Sequence, residues 1–298
     1  MLKEIFPGSN VDLHLVVGTP FLYVKQERTL IMADLHLGFE EAASRGLDYS
    51  TRRSGGYMAV FLPRIQLKRI ISYLNNALSV LNVSRVIVNG DLKHAFDRLL
   101  KQEREEIIEL ADFLEDNGVD EIVVIRGNHD NFVKPLLRKL GIKLINGLIL
   151  NAGGQKILFI HGHEDIGVDD YDIVVIGHEH PSLRCFELYR FPCIIKTQLI
   201  NGKKLLVMPA SGPYHPGIVV TTRPDEYLSP IIRNKAMLDS MSIVTWFELG
   251  EISPSSTTYF ENLSTTELVK IEKYMVLNKE FAVLEFKDYE TAQIICTT

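Results

Sequence analysis

The chain has only three cysteines and one tryptophan among its 298 residues, and it has no long hydrophobic run. Cys185, Cys193 and Cys296 form no CxxC pair, so we expect ordinary reduced thiols, as in cytoplasmic proteins. No apolar stretch approaches the roughly 18 residues that a membrane-spanning helix needs, and early acid and proline oppose a secretory signal. These absences predict a soluble, cytoplasmic protein without a membrane partner.

The composition that remains is ordinary for a globular protein, with 46% hydrophobic and 23% charged residues. A net charge of −6 opposes a general polyanion-binding surface but is compatible with a local basic patch. Two basic stretches, one with Lys68 and Arg69 and one at residues 134–143, have a solvated face as their default interpretation. The length suits one large α/β domain with a small appendage.

Short apolar runs rich in β-branched residues predict strands that are covered on both faces. Four of them lie at residues 86–88, 122–125, 157–160 and 173–176. Earlier runs at 13–17, 21–24 and 29–32 predict a hairpin that leads into a central strand. Apolar residues spaced by three and four predict amphipathic helices at about residues 57–80 and 96–114.

The last third of the chain has weaker signals. Residues 205–208 and 217–221 predict two further strands, and we place a domain boundary after residue 232. The segment 233–298 carries no recognisable motif, but its pattern predicts strands at 242–249 and 281–286, a loop at 254–258 and a helix at 265–275. The predicted organisation is a main domain, 1–232, and a small α+β extension of unknown role, 233–298.

Five segments end strand-like runs in metal-binding residue types, and seven of the nine histidines lie in or beside them. The segments are Asp34-Leu35-His36, Gly90-Asp91, Gly127-Asn128-His129-Asp130, His161-Gly162-His163 and Gly177-His178-Glu179-His180. Side chains two apart in an extended segment point the same way, so both members of each Asp-x-His or His-x-His pair can face one cleft. Ligands collect beyond the carboxyl ends of strands in α/β sheets, so the five ends could converge on one site.

The donor set of these segments combines imidazole, carboxylate and one carboxamide, without a thiolate. Such donors suit divalent manganese, iron, zinc, cobalt or nickel, and the donor types do not choose among these ions; our expectation is manganese. Two ions in one site can activate a water and neutralise charge during displacement at phosphorus. The segments therefore indicate a two-metal centre that hydrolyses phosphate esters.

In their order, Asp-x-His, Gly-Asp, Gly-Asn-His-Asp, His and Gly-His-x-His, the segments resemble the calcineurin-like metallophosphoesterase superfamily over roughly residues 29–222. The longer strings at 33–40, 90–94 and 177–181 resemble a prokaryotic, largely archaeal branch of predicted phosphoesterases related to double-strand-break-repair nucleases. The resemblance implies an α/β fold, a β-sandwich flanked by helices in four layers, α/β/β/α. The dinuclear site would lie at the strand ends of the catalytic domain.

The resemblance also implies roles for single residues. The metal ligands would be Asp34, His36 and His180 for one ion, Asn128, His161 and His178 for the other, and Asp91 as the bridge. His129 would contact the phosphate and protonate the leaving oxygen. Asp130 would orient His129 or close its turn.

The chain departs from the superfamily pattern three residues after Asp91. Many members carry an acid there that pairs with the catalytic histidine, whereas this chain has His94. The orientation of His129 is therefore open. The candidate substrate contacts are Lys93, His94, Arg126 and His163, with His215 in a Gly/Pro loop as a weaker candidate.

The sequence thus predicts a metal-dependent phosphoesterase that prefers diesters to monoesters, with a metal-bridging hydroxide as nucleophile and His129 as general acid. Its substrate would be a phosphate ester, either a nucleotide or a nucleic acid. A nuclease related to the break-repair enzymes is the first alternative, and its binding should depend steeply on salt. A non-catalytic binding module is the second. The sequence predicts no oligomeric state.

Overall fold

Two β-sheets lie at the centre of the fold in a computed structural model, which describes residues 1–46, 61–185, 189–215, 217–252 and 266–297. The first sheet has the strand order β1 to β7. Its strands are β1 (Leu2–Glu4), β2 (His14–Val16), β3 (Phe21–Val24), β4 (Thr29–Met32), β5 (Arg85–Asn89), β6 (Glu121–Ile125) and β7 (Lys143–Ile145). β1 to β4 pair antiparallel, and β4 to β7 run parallel, so the carboxyl ends of β4, β5 and β6 share one edge.

The second sheet has the order β15-β16-β14-β12-β13-β10-β9-β8, and β11 pairs with β12 beside it. Its strands are β8 (Leu148–Ala152), β9 (Gln155–Ile160), β10 (Ile173–Ile176), β11 (Ser182–Cys185), β12 (Tyr189–Gln198), β13 (Lys204–Val207), β14 (Ser242–Glu248), β15 (Val269–Val276) and β16 (Lys279–Phe286). β9, β10 and β13 run parallel to one another, so their carboxyl ends also share an edge. The remaining pairs are antiparallel.

Helices cover the outer face of each sheet. They are α1 (Phe39–Ser44), α2 (Gln66–Leu78), α3 (Lys101–Asp116), α4 (Lys134–Lys139), α5 (Pro230–Lys235) and α6 (Tyr289–Thr297). Apolar residues of α2, α3 and α4 pack on the first sheet, as Leu74 does in the cluster that holds Val86. α5 and α6 pack on the second sheet, and a third cluster, with Ile87 and Phe159, fills the space between the sheets. The predicted four-layer α/β/β/α fold is confirmed. Among the described residues, no helix is long and apolar enough to cross a membrane.

The predicted strands that precede the ligand segments are confirmed as β4, β5, β6, β9 and β10. The first predicted helix is α2, and its predicted start at 57–60 lies outside the described residues. The second is α3, which begins at Lys101 because Leu100 is still extended. The strand predicted at 217–221 is wrong, since that segment makes only an isolated bridge between Val219 and Ser182.

The C-terminal segment 233–298 contributes strands to the second sheet. β14 pairs with β12, and β16 pairs with both β14 and β15. The predictions for β14 and β16 are confirmed, whereas the helix predicted at 265–275 is wrong where the structure describes it, because Val269–Val276 pairs along its whole length with β16. The loop predicted at 254–258 lies outside the described residues. A boundary after residue 232 remains a prediction.

The cysteines require a correction. Cys185 at the end of β11 and Cys296 in α6 form a disulfide, while Cys193 is free and buried. The pair is 111 residues apart in sequence, and only the packing of α6 beside β11 brings the two Cα atoms to 4.2 Å. The expectation of three reduced thiols was wrong because sequence spacing carries no information on such a distant pair.

Candidate metal centre

All five candidate ligand segments follow the carboxyl ends of parallel strands. Asp34 follows β4, Asp91 follows β5, Asn128 follows β6, His161 follows β9 and His178 follows β10. Three of these strands belong to one sheet and two to the other. The face-to-face packing of the sheets therefore brings together side chains that are up to 146 residues apart, from Asp34 to His180.

One ligand group consists of Asp34, His36 and His180, which we call the first group. Each offers a donor atom within 4.8 Å of those of the other two. His180 Nε2 lies 3.1 Å from Asp34 Oδ1 and 3.4 Å from His36 Nε2. Asp34 and His36 are fully enclosed, so these donors are held away from bulk water.

The second group consists of Asp91, His161 and His178, whose donor atoms also lie within 4.8 Å of one another. His161 Nε2 is 3.3 Å from Asp91 Oδ2 and 3.1 Å from Asn128 Oδ1, so Asn128 joins this group. Asp91 Oδ2 is also 3.7 Å from His36 Nε2 of the first group. Asp91 therefore lies between the two groups.

The turns that carry these ligands have an unusual backbone. Left-handed φ angles occur at Asp34 (55°), His36 (47°), Asp91 (49°), His178 (69°) and His180 (49°). Non-glycine residues rarely adopt this region, and such conformations cluster at functional sites, where neighbouring structure holds them. Here the first two turns support each other, since Asp34 N–H donates to the Gly90 carbonyl and His36 N–H to the Asp91 carbonyl.

The charges of Asp91 and His161 depend on each other. Burial alone would raise the pKa of Asp91, but the His161 imidazolium holds it well below its usual range. Burial alone would lower the pKa of His161, but the carboxylates of Asp91 and Asp34 raise it to about 10. Positive charge is thus strongly favoured between these side chains. A divalent ion would supply that charge, so the donor set fits a cation.

Gly127 permits the closest approach to Asp91. A Cβ atom at this position would lie 2.1 Å from Asp91 Oδ1 and 2.4 Å from the Asp91 nitrogen, both far inside van der Waals contact. Gly127→Ala should therefore displace Asp91, lower the metal stoichiometry and reduce the free energy of unfolding by about 1–3 kcal/mol. Elemental analysis and urea unfolding measure both effects. Gly167→Ala is the control because nothing lies within 4 Å of its added Cβ. Full metal content and unchanged unfolding in Gly127→Ala would contradict the expected displacement.

His129 lies beside Asp91, and its side chain is 17% exposed. Its Nδ1 donates to the main-chain carbonyl of His94, and its Nε2 lies 3.9 Å from Asp91 Oδ2. The Phe96 ring packs on the imidazole at a centroid distance of 4.1 Å. Burial lowers the pKa of His129, and Asp91 partly offsets this effect. The carbonyl of His94 thus fixes the tautomer and directs Nε2 to the site, in the place of the acid that this chain lacks.

Asp130 links the turn that carries His129 to the turn that carries Asp91. Its carboxylate accepts from the Gly127 N–H at 2.8 Å and from the Leu92 N–H at 2.9 Å, which ties the His129 turn to the Asp91 turn. Burial and the nearby Asp91 carboxylate raise the pKa of Asp130 to about 6. The resemblance implies that Asp130 either orients His129 or closes its turn, and these hydrogen bonds fit the second role.

The four candidate substrate contacts occupy different positions. Lys93 is fully buried, its ammonium donates to the Ala95 carbonyl, and burial lowers its pKa, so it does not face the site. His94 Nδ1 lies 3.3 Å from His36 Nδ1, against the first group. Arg126 is exposed and donates to Asn131. His163 lies beside the second group, with its ring centroid 5.2 Å from that of His161.

Glu103 and Gln66 position the site but were not singled out in the sequence. The Glu103 carboxylate accepts from the N–H groups of His94 and Ala95, the loop whose carbonyl holds His129. The Gln66 amide donates to the carbonyls of Leu35 and His36. Glu103 has the helix-start spacing of a capping residue, which predicts where α3 begins but not which loop its carboxylate holds.

The sequence pattern of the calcineurin-like phosphoesterase family matches residues 27–184, more than half of the chain. The chain therefore belongs to this family, as the motif order predicts, and its histidine and aspartate groups are capable of metal binding. Among solved structures, nuclease MPE from Pseudomonas putida has a TM-score of 0.53 at 18% identity, covering 82% of this chain and 96% of that one. At this identity the similarity is one of fold.

A second solved structure is the protein of unknown function AQ665 from Aquifex aeolicus. It has a TM-score of 0.31 and 19% identity, and the match covers 51% of this chain and 78% of that one. No curated protein matches the sequence.

Proposed function

We propose that the chain is a dinuclear, divalent-metal-dependent phosphodiesterase. The observation that carries this proposal is the position of Asp91, whose Oδ2 lies 3.7 Å from a histidine nitrogen of the first group and 3.3 Å from one of the second. A carboxylate between two sets of neutral and acidic donors is what two neighbouring cations require. Imidazole, carboxylate and carboxamide donors suit manganese, iron, zinc, cobalt and nickel alike, and manganese is the ion that we propose first.

The first group, Asp34, His36 and His180, would hold one ion, and Asn128, His161 and His178 would hold the other, with Asp91 shared. When bound, two such ions supply Lewis-acid chemistry, activating water and neutralising charge on the phosphate. The chain's own contribution is to hold these ligands in place, five of them in left-handed turns and four of them buried, so that little reorganisation is needed when substrate arrives.

His129 would act as the general acid. Its Nδ1 proton is committed to the His94 carbonyl, so a second proton must be carried at Nε2, which faces the site. From there it can pass to the oxygen that leaves phosphorus. The leaving group of either a diester or a monoester departs as an alcohol that carries this proton, so the acid serves both classes, and the preference for diesters rests on the resemblance to nucleases. The fold similarity to a nuclease is consistent with this substrate class.

A hydrolysis screen with added manganese tests the proposal. We expect bis(p-nitrophenyl) phosphate to be hydrolysed with a kcat/KM at least about tenfold above that for p-nitrophenyl phosphate. Cyclic nucleotides and single- and double-stranded DNA complete the panel, and excess EDTA should abolish every activity. Faster hydrolysis of the monoester would contradict the diester preference. Failure to bind metal or to cleave any ester would instead support a non-catalytic binding module.

A further inference from the structure

A groove begins at the metal centre and runs away from it between α2 and β12. Its metal-side cavity, about 220 Å³, is lined in part by His180, Ser211 and His215. Its far cavity, about 520 Å³, extends to residues of β14 and β16. The two cavities share Arg69, Tyr73, Arg190, Pro192 and Trp246. These shared walls make them one continuous groove.

His215 lies where the groove meets the metal centre. Its ring stacks on that of His36, with centroids 4.1 Å apart, and faces His180 at 5.8 Å. Both of its ring nitrogens are buried and have no hydrogen-bond partner among the described residues. A buried polar group without a partner carries a free-energy penalty unless a ligand or water satisfies it. The imidazole is therefore an unused hydrogen-bonding group at the mouth of the groove.

Two exposed arginines line both cavities. Arg69 lies on α2, with its guanidinium carbon 5.7 Å from the centroid of the Tyr73 ring. Arg190 lies on β12, where its Nη2 donates to the Gly217 carbonyl at 2.7 Å and to the Ser182 hydroxyl at 3.1 Å. These contacts hold two cationic groups on the walls of a groove that already opens on the metal ligands. Guanidinium groups in such positions suit phosphate oxygens.

The far cavity has a different character. It is lined by the aromatic side chains of Tyr189, Phe191 and Phe247 and also by Glu248 and Glu251. Lys279 Nζ pairs with Glu248 Oε2 at 2.7 Å, which reduces the cationic character of this end. The metal side therefore favours an anion, whereas the far side favours a flat, largely apolar group with polar edges. A nucleotide has both parts in one unit, since its phosphate is anionic and its base stacks on aromatic side chains.

We propose that this groove binds the nucleotide adjacent to the scissile diester of a polynucleotide strand. Its phosphate lies at Arg69 and Arg190, and its base occupies the far cavity. The inference rests on the proposed diesterase function and names its substrate class. A simple chromogenic diester or a cyclic nucleotide carries a single phosphate and does not fill the groove while it is at the metal centre.

The test compares wild type, Arg69→Ala, Arg190→Ala, the double variant and Lys68→Ala. Lys68 is the control because it is an exposed cation next to Arg69 on α2 but does not line either cavity. Dissociation constants for a fluorescently labelled single-stranded oligonucleotide are measured by anisotropy on the full chain in EDTA. We expect the dissociation constant of the double variant to be about tenfold higher or more. The slope of the logarithm of affinity against the logarithm of salt concentration should become shallower by about one for each arginine removed. Lys68→Ala should bind as wild type does.

Kinetics separate this inference from the function on which it rests. In the double variant the ratio of kcat/KM for the oligonucleotide to that for bis(p-nitrophenyl) phosphate should fall by about 10- to 100-fold, mainly through KM. If no diester is hydrolysed, the proposed function fails. The anisotropy titration still shows whether the groove binds the oligonucleotide. Equal affinity of wild type and double variant for the oligonucleotide would overturn the proposal that the groove binds a nucleotide. Binding of the oligonucleotide no tighter than a mononucleotide also overturns it and points to small diesters as substrates.

Discussion

Asp91→Asn is expected to lose metal from both ligand groups at once and to lower kcat/KM by about a thousandfold, equivalent to roughly 4 kcal/mol of barrier. Its carboxylate lies between His36 and His161, so removal of one negative charge weakens both cation sites. Asparagine keeps the shape of the side chain and the Oδ1 that accepts from the His129 N–H at 2.9 Å. The fold should therefore survive.

Elemental analysis after dialysis gives the metal stoichiometry, and circular dichroism checks the fold. Asp97→Asn is the matched control, because Asp97 is an exposed acid six residues further along the same loop that pairs with Arg98. A variant that keeps full metal content while it loses activity would show that Asp91 is not shared between two ions. Equal loss in Asp97→Asn would point to a general effect of charge.

His129→Ala should keep both metal ions but lose about 10²- to 10⁴-fold in kcat, the range typical of a missing general acid. The carbonyl of His94 and the Phe96 ring hold the imidazole beside the ligand groups, but no ligand depends on it for position. The loss should be greatest for diesters with an alkoxide leaving group, which needs a proton. It should be smaller for bis(p-nitrophenyl) phosphate, because nitrophenolate leaves readily without one.

This dependence on the leaving group distinguishes a role of His129 in proton transfer from a role in packing. A merely structural role would reduce turnover of all diesters by the same factor. His14→Ala serves as a control for loss of a histidine elsewhere, since His14 lies on β2 and pairs with Asp12. Equal losses on both kinds of diester, or loss of metal from His129→Ala, would contradict the assignment of His129 as the acid.

The strands that carry the ligands were predictable because each is buried on both faces. β10, for example, consists of four consecutive apolar residues, Ile173–Ile176, and parallel strands in a covered sheet need no polar alternation. Polar residues that directly follow such runs stand out in the sequence. The fold and the ligand segments could therefore be predicted from local composition together with the order of the motifs.

Elements whose state depends on distant pairing were missed or misassigned. β12 contains Pro192 and three charged or amide side chains on its exposed face, so its run has no clear signal, yet it pairs with β11, β13 and β14. β15 mixes apolar and charged residues, and its pairing with β16 decides its conformation. Such non-local contacts are not encoded within one window of sequence.

At the site, the sequence did not predict the direction in which individual side chains point. Lys93 follows the shared aspartate closely and was predicted to contact phosphate, but it turns inward to a main-chain carbonyl. The orientation of His129 depends on the carbonyl of His94, a group that every residue type possesses. Residue identity predicts which chemistry is present near the centre, whereas the path of the backbone decides which groups reach it.

The pairing of β14 with β12 has a consequence for any shortened version of the chain. A polypeptide ending at residue 232 would leave the main-chain groups of β12 that face Ser242–Thr245 without partners, and it would lose Cys296, which is disulfide-bonded to Cys185 at the end of β11. An unpaired strand edge of this kind recruits other chains and promotes aggregation. Residues 1–232 alone are thus expected to be prone to aggregation, because their second sheet is completed by strands from the last third of the chain.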